Sequence, residues 1–91
     1  MLKSFVEYLV SKGYSEYTPS GNPSTAYDYS KRVKKVCERE KCSLKELSDN
    51  IDDIIDKYDV GGKEEAFGRR SNSAFINALK RFKEFLEEER K

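Results

Sequence analysis

The chain of 91 residues contains no histidine and no tryptophan, only two cysteines and two prolines, and a single methionine. The missing histidine removes the most frequent general base, the most frequent metal ligand and every Ser-His or Cys-His nucleophile arrangement. Cys37 and Cys42, spaced C-x4-C, cannot by themselves close a zinc site, which takes four ligands; the pair reads as reduced and buried. No apolar run approaches the roughly 18 residues that cross a bilayer. Nothing ahead of the first helical pattern resembles a signal peptide, so the expectation is a cytoplasmic protein without membrane contact. The stretch "VGGKEEAFG" lacks P-loop spacing and follows no strand. Enzymatic activity of the chain alone is therefore not expected, nor is a metal or cofactor.

What is present is charge, arranged unevenly. Charged residues make up 38% of the chain and hydrophobic ones 36%, yet the formal net charge is only +1, so opposite charges cancel in the total. Segment 69–83 carries Arg69, Arg70, Lys80, Arg81 and Lys83 with no acid. Segment 43–60 sets Lys45 and Lys57 against Glu46, Asp49, Asp52, Asp53, Asp56 and Asp59. Such a chain is electrically two-faced, and the faces, not the sum, decide what it attracts.

Apolar periodicity predicts four helices and no strands. Leu2, Phe5, Val6 and Leu9 fall on one face of a helix over 2–11, which Lys12 and Gly13 should stop. "YSEYTPSGNPS" holds both prolines and reads as a loop. A second helix over 24–41, opened by Ser24 or Thr25, buries Ala26, Tyr29, Val33, Val36 and Cys37. "SLKE" has the spacing of a capping box and opens a third helix over 43–58, with the stripe Leu44, Leu47, Ile51, Ile54, Ile55 and Tyr58. A fourth, over 71–90, is capped by Ser71 or Asn72 and lined by Phe75, Leu79, Phe82 and Leu86. Four amphipathic stripes on a chain of this length imply one all-α domain, residues 1–91, a compact four-helix bundle with every stripe turned inward.

The charges of the fourth helix run against its dipole, which favours acids early and bases late. Arg69 and Arg70 stand at its entrance, while Glu84, Glu87, Glu88 and Glu89 crowd its exit. An anion at the entrance would reverse the argument, because free amides, the positive dipole end and the side chains of Arg69, Arg70, Ser71 and Asn72 would converge on it. On the second helix Lys31 and Lys34 form an outward ridge beside Tyr27, flanked by Arg32 and Lys35. On the fourth, Ser73, Asn77 and Lys80 share a face at i, i+4, i+7 and form a row of hydrogen-bonding groups suited to base edges or phosphates. The carboxylates Asp49, Asp52, Asp53 and Asp56 read as a solvated outer face.

The stretches "FVEYL...G", "STAYDYSKRV" and "RRSNSAFINALKRFKEFL" resemble the N-terminal SAM-like, or core-binding, domain of tyrosine recombinases and phage integrases. Phe5 and Leu9, Thr25 and Tyr29, and Leu79, Phe82, Phe85 and Leu86 carry the likeness. The resemblance implies a four-helix SAM-like fold that clamps one side of double-stranded DNA while a separate C-terminal catalytic domain performs DNA recombination and integration. The expected contacts are Lys31, Lys34, Lys35, Arg69, Arg70, Ser71 and Asn72 to phosphates, and Ser73, Asn77 and Lys80 in a groove. The alternative is a helical protein-interaction module that self-associates weakly through its acidic third and basic fourth helices.

Overall fold

A computed structural model describes residues 1–90; Lys91, the last residue of the expected domain, lies outside the described residues. Among the described residues six helices form: α1 (Leu2–Ser11), α2 (Thr25–Glu40), α3 (Leu44–Asp49), α4 (Ile51–Tyr58), α5 (Glu65–Gly68) and α6 (Arg70–Glu89). The all-α class and the inward-facing stripes agree with the periodicity. The number of helices and several of their ends do not.

The long helices α2 and α6 share the most extensive interface; α1 lies across both, and α4 and α5 cover the other side of α6. Their meeting faces form one core. Phe5, Leu9, Val33, Val36, Leu47, Tyr58, Leu79 and Phe82 are all fully buried or nearly so. Phe5 meets Phe82 edge-on at 5.2 Å between centroids and Phe85 at 5.6 Å, which ties α1 to α6 with the geometry aromatic quadrupoles favour.

Helix ends follow the local chemistry in most places. Gly13 takes φ 100 after α1, as its position after Lys12 requires. Ser43 accepts from the Glu46 amide at 3.1 Å while Glu46 accepts from the Ser43 amide at 3.0 Å, a complete capping box. Ser24 is the residue before α2 but its side chain makes no capping bond. The proline-containing loop folds back on α2. The Ser24 amide donates to Glu16, the Ala26 amide to Ser15, and the Tyr17 and Tyr27 rings pack at 5.7 Å.

Two expectations are corrected. The continuous third helix over 43–58 is broken at Asn50 (φ −117, ψ 24), whose side-chain amide donates to the Glu46 carbonyl and whose own carbonyl opens α4. Beyond the break, Ile51, Ile55 and Tyr58 of α4 are buried in the core. Asn competes for backbone hydrogen bonds and is a poor helix-interior residue, which gives the break its local cause. At the other end, Ser71 and Asn72 do not cap α6. With Ser73 they form a left-handed turn (φ 55, 60 and 64), and the regular turns begin at Ala74. Short polar side chains tolerate this backbone better than others, although it costs roughly 1–2 kcal/mol per residue.

A buried polar cluster joins α2 to α4. Glu40, with its side chain 15% exposed, accepts from Lys57 Nζ at 2.8 Å and from the Tyr58 hydroxyl at 2.7 Å. Burial alone would raise the Glu40 carboxyl, but these hydrogen bonds and the charges of Lys57 and Arg39 outweigh it and hold it below the usual carboxylate range. A carboxyl depressed in the folded state stabilises the fold above its unfolded pKa of about 4.3, and that contribution is lost as pH falls through the folded value. Thermal midpoints measured from pH 6 to pH 3 should therefore drop below about pH 4.3. Glu40→Gln should lower the neutral-pH stability by about 1–3 kcal/mol, because Lys57 and the Tyr58 hydroxyl lose a charged acceptor. It should also flatten part of the acid limb; the remainder reflects Glu46, Asp59 and Glu65, also held low by hydrogen bonds. An acid limb in Glu40→Gln as steep as in the parent would contradict the assignment.

Candidate nucleic-acid interface

The α5 helix, absent from the sequence reading, is what organises the cationic surface. It places Phe67 against Phe75 of α6 with 4.5 Å between ring centroids, both rings being almost fully buried. Three guanidinium groups stand over these rings. Arg32 is 4.8 Å from the Phe75 centroid, and Arg39 and Arg70 are 3.9 and 4.9 Å from that of Phe67. An arginine over an aromatic face is held by the ring quadrupole and keeps the edges of its guanidinium fork available for donation. Arg32 and Arg39 belong to one side of α2, seven positions apart, and Lys35 lies between them at the same side of the helix.

The surrounding acids compensate only part of this charge. Arg39 donates to Glu64, Arg69 donates to Glu65 at 3.0 Å, and Lys35 lies 3.8 Å from Glu38. Neither Arg32 nor Arg70 has an ion-pair partner among the described residues, and the Arg32 Nε is buried without an acceptor. A surface patch with two uncompensated guanidiniums on a rigid aromatic floor is suited to anions whose oxygens can accept paired N–H donors.

The ten expected contact residues divide between several places. Lys35, Arg69 and Arg70 belong to the patch. Lys31 and Lys34 do not: Lys31 lies 5.5 Å over the Tyr27 ring, and Lys34 stands on the rim of a groove between α1 and α2 that Leu2 also lines. Ser71, Asn72 and Ser73 make the left-handed turn just after Arg70, with the Ser73 amide donating to the Arg69 carbonyl at 3.0 Å. Asn77 is exposed on α6. Lys80 is drawn away from the Ser73–Asn77 row to Asp59, at 3.2 Å. Because the regular turns begin at Ala74, Arg69 and Arg70 precede the dipole end, so the expected convergence of four side chains on first-turn amides is replaced by the patch over Phe67.

Arg32 and Arg39, which complete the patch, were not among the expected contacts. Their seven-residue separation beside the Val33–Val36 stripe is the signal that could have found them. Phe67 lies in a short segment without a helical apolar repeat, and its contacts with Tyr58, Phe75 and Arg39 form only when α2, α4, α5 and α6 pack together.

The acids cluster elsewhere. Asp52 binds Lys83 at 2.7 Å and Asp49 binds Lys45 at 3.2 Å, while Asp53 and Asp56 are exposed on α4. Among the described residues no group of three or more His, Cys, Asp or Glu side chains could hold a metal ion, and no helix is long and apolar enough to cross a membrane. The chain matches no protein-family model, no curated protein and no solved structure.

Proposed function

We propose that the chain is a non-catalytic domain that binds the backbone of double-stranded DNA through the arginine patch. The observation that carries the reading is the group Arg32, Arg39 and Arg70 over Phe67 and Phe75, two of the three without an ion-pair partner among the described residues. Lys35 and Arg69 extend the patch, and Ser71 to Ser73 and Asn77 follow it along α6 as neutral donors. Spaced cations on a rigid helical scaffold suit phosphates, which position a protein on a duplex without reading its sequence. The likeness of "STAYDYSKRV" and "RRSNSAFINALKRFKEFL" to recombinase core-binding domains supports the same reading. In that reading a separate catalytic domain supplies the strand chemistry.

The separation of the acidic α4 face from the patch favours a second reading, in which copies associate acid face to basic face. One titration distinguishes the two. Adding duplex DNA to the chain near 20 mM salt should shift the amide resonances of residues 32–39 and 67–77. The log of the binding constant should fall with log salt at a slope of about −0.9 for each phosphate engaged. Absence of binding at that salt would end the DNA reading. Shifts on α4 that depend on protein concentration alone would replace it with self-association.

A further inference from the structure

The way α2 stops determines where its two thiols stand. Lys41 takes the left-handed conformation (φ 52, ψ 46), its amide returns to the Glu38 carbonyl at 3.2 Å, and the Cys42 amide returns to the Cys37 carbonyl at 3.0 Å. This is the Schellman stop, in which the residue after the left-handed one folds back against the helix turn whose carbonyl it bonds, so that the two side chains meet. Here both of those positions are cysteine. With ordinary bond lengths a 3.0 Å N···O contact keeps the two Cα atoms within about 7 Å, near the limit a disulfide tolerates.

The pair is also reachable. Both thiols are free, Cys37 buried and Cys42 half-buried, and both line an open groove of about 520 Å³ with Leu2, Leu44, Lys34 and Lys41. We propose that Cys37 and Cys42 form a dithiol modification site, converted to an intramolecular disulfide by exchange with a small-molecule disulfide of the glutathione type. The more exposed Cys42, as thiolate, attacks one sulfur of the small disulfide, forms a mixed disulfide and releases one small thiolate. Cys37, its proton passed to solvent base, then attacks the Cys42 sulfur and releases the second. Two protein thiols are oxidised, one small disulfide is reduced to two thiols, and two electrons pass between them. Burial, with Cys42 beside it, pushes the Cys37 thiol up to about 11, and burial also raises Cys42, so the thiolate fraction is small and the exchange is slow. The new bond ties the last turn of α2 to the entrance of α3. The site is independent of the DNA reading.

The test is equilibration of the full chain in mixtures of oxidised and reduced glutathione, followed by acid quench, alkylation of free thiols and mass measurement. The expected product at oxidising ratios carries neither alkyl group nor glutathione, is lighter than the reduced chain by two hydrogens, and returns both thiols with dithiothreitol. Cys37→Ser should stop at a glutathione adduct on Cys42. In about 6 M guanidinium the equilibrium constant for ring closure should fall at least roughly tenfold, because the unfolded chain no longer holds the thiols together. Glutathione adducts without ring closure, disulfide-linked dimers as the main product, or an undiminished constant in denaturant would each overturn the proposal.

Discussion

Arg39→Gln combined with Arg70→Gln is expected to weaken duplex binding roughly a hundredfold at low salt, while the fold survives. Hydrogen bonds to charged groups are worth about 1.5–3 kcal/mol each, so two phosphate contacts removed together reach that factor. The same variant should flatten the salt dependence by about two units of slope, one for each phosphate no longer neutralised. Both residues are exposed, and Gln retains part of the stem that packs on Phe67, so the loss of stability should stay within about 1 kcal/mol. The informative control is Lys31→Gln with Lys34→Gln. It removes equal charge from the same protein but from a side of α2 away from Phe67 and Phe75, and it should change affinity only a few-fold. Equal losses in the two double variants would mean that net charge, not the patch, governs binding, and the site assignment would fall.

Gly68→Ala is expected to destabilise the domain by about 3 kcal/mol and to lower its thermal midpoint by about 15 °C. Gly68 closes α5 directly against the end of α4, and a Cβ there would overlap the Tyr58 carbonyl oxygen and crowd the Tyr58 Cβ. Neither can retreat easily. Tyr58 is fully buried, its hydroxyl is bound to Glu40, and its ring packs edge-on against Phe67 at 6.0 Å. The opposite case is Gly13, which has a left-handed backbone but open space around its Cα. There Ala meets only the conformational penalty, about 1 kcal/mol. Thermal unfolding of the two variants side by side separates crowding from backbone preference; equal losses would refute the close approach at Gly68. Since Phe67 precedes Gly68, any displacement of α5 also moves the floor under Arg39 and Arg70. Stability and DNA affinity should therefore decline together in this variant, unlike in the arginine double variant.

The helical class and the core were readable because they rest on periodicity and short-range chemistry. The stripes Leu2–Leu9, Ala26–Cys37 and Phe75–Leu86 each place their apolar residues on one face, and burial follows those faces. The Ser43–Glu46 capping box and the Gly13 stop need only their own neighbours, so the structure reproduces them. Asn50 was missed because the stripe from Leu44 to Tyr58 continues through it with helical spacing. The break becomes visible only when α3 must meet α2 and α4 must meet α6.

The candidate interface was legible in part, for the same reason. Charge type and helix assignment placed Lys35, Arg69 and Arg70 on the surface, but grouping them with Arg32 and Arg39 required Phe67, and Phe67 acquires its role only through ring contacts with Tyr58 and Phe75. The reversed charges of α6 have the same lesson. As a string, "GRRSNSAFINALKRFKEFLEEERK" sets bases ahead of acids against the dipole; in space, Arg69 and Arg70 precede the regular helix, Lys80 is neutralised by Asp59 and Lys83 by Asp52. Sequence alone determined which residues are apolar, how they repeat and, at Gly13 and Ser43, where a helix stops or starts, since these are local quantities. Tertiary structure decided which charges are paired and which are left over, because an ion pair or a stacked guanidinium depends on distance in space, and residues such as Asp59 and Lys80 become neighbours only when α4 and α6 pack on one core.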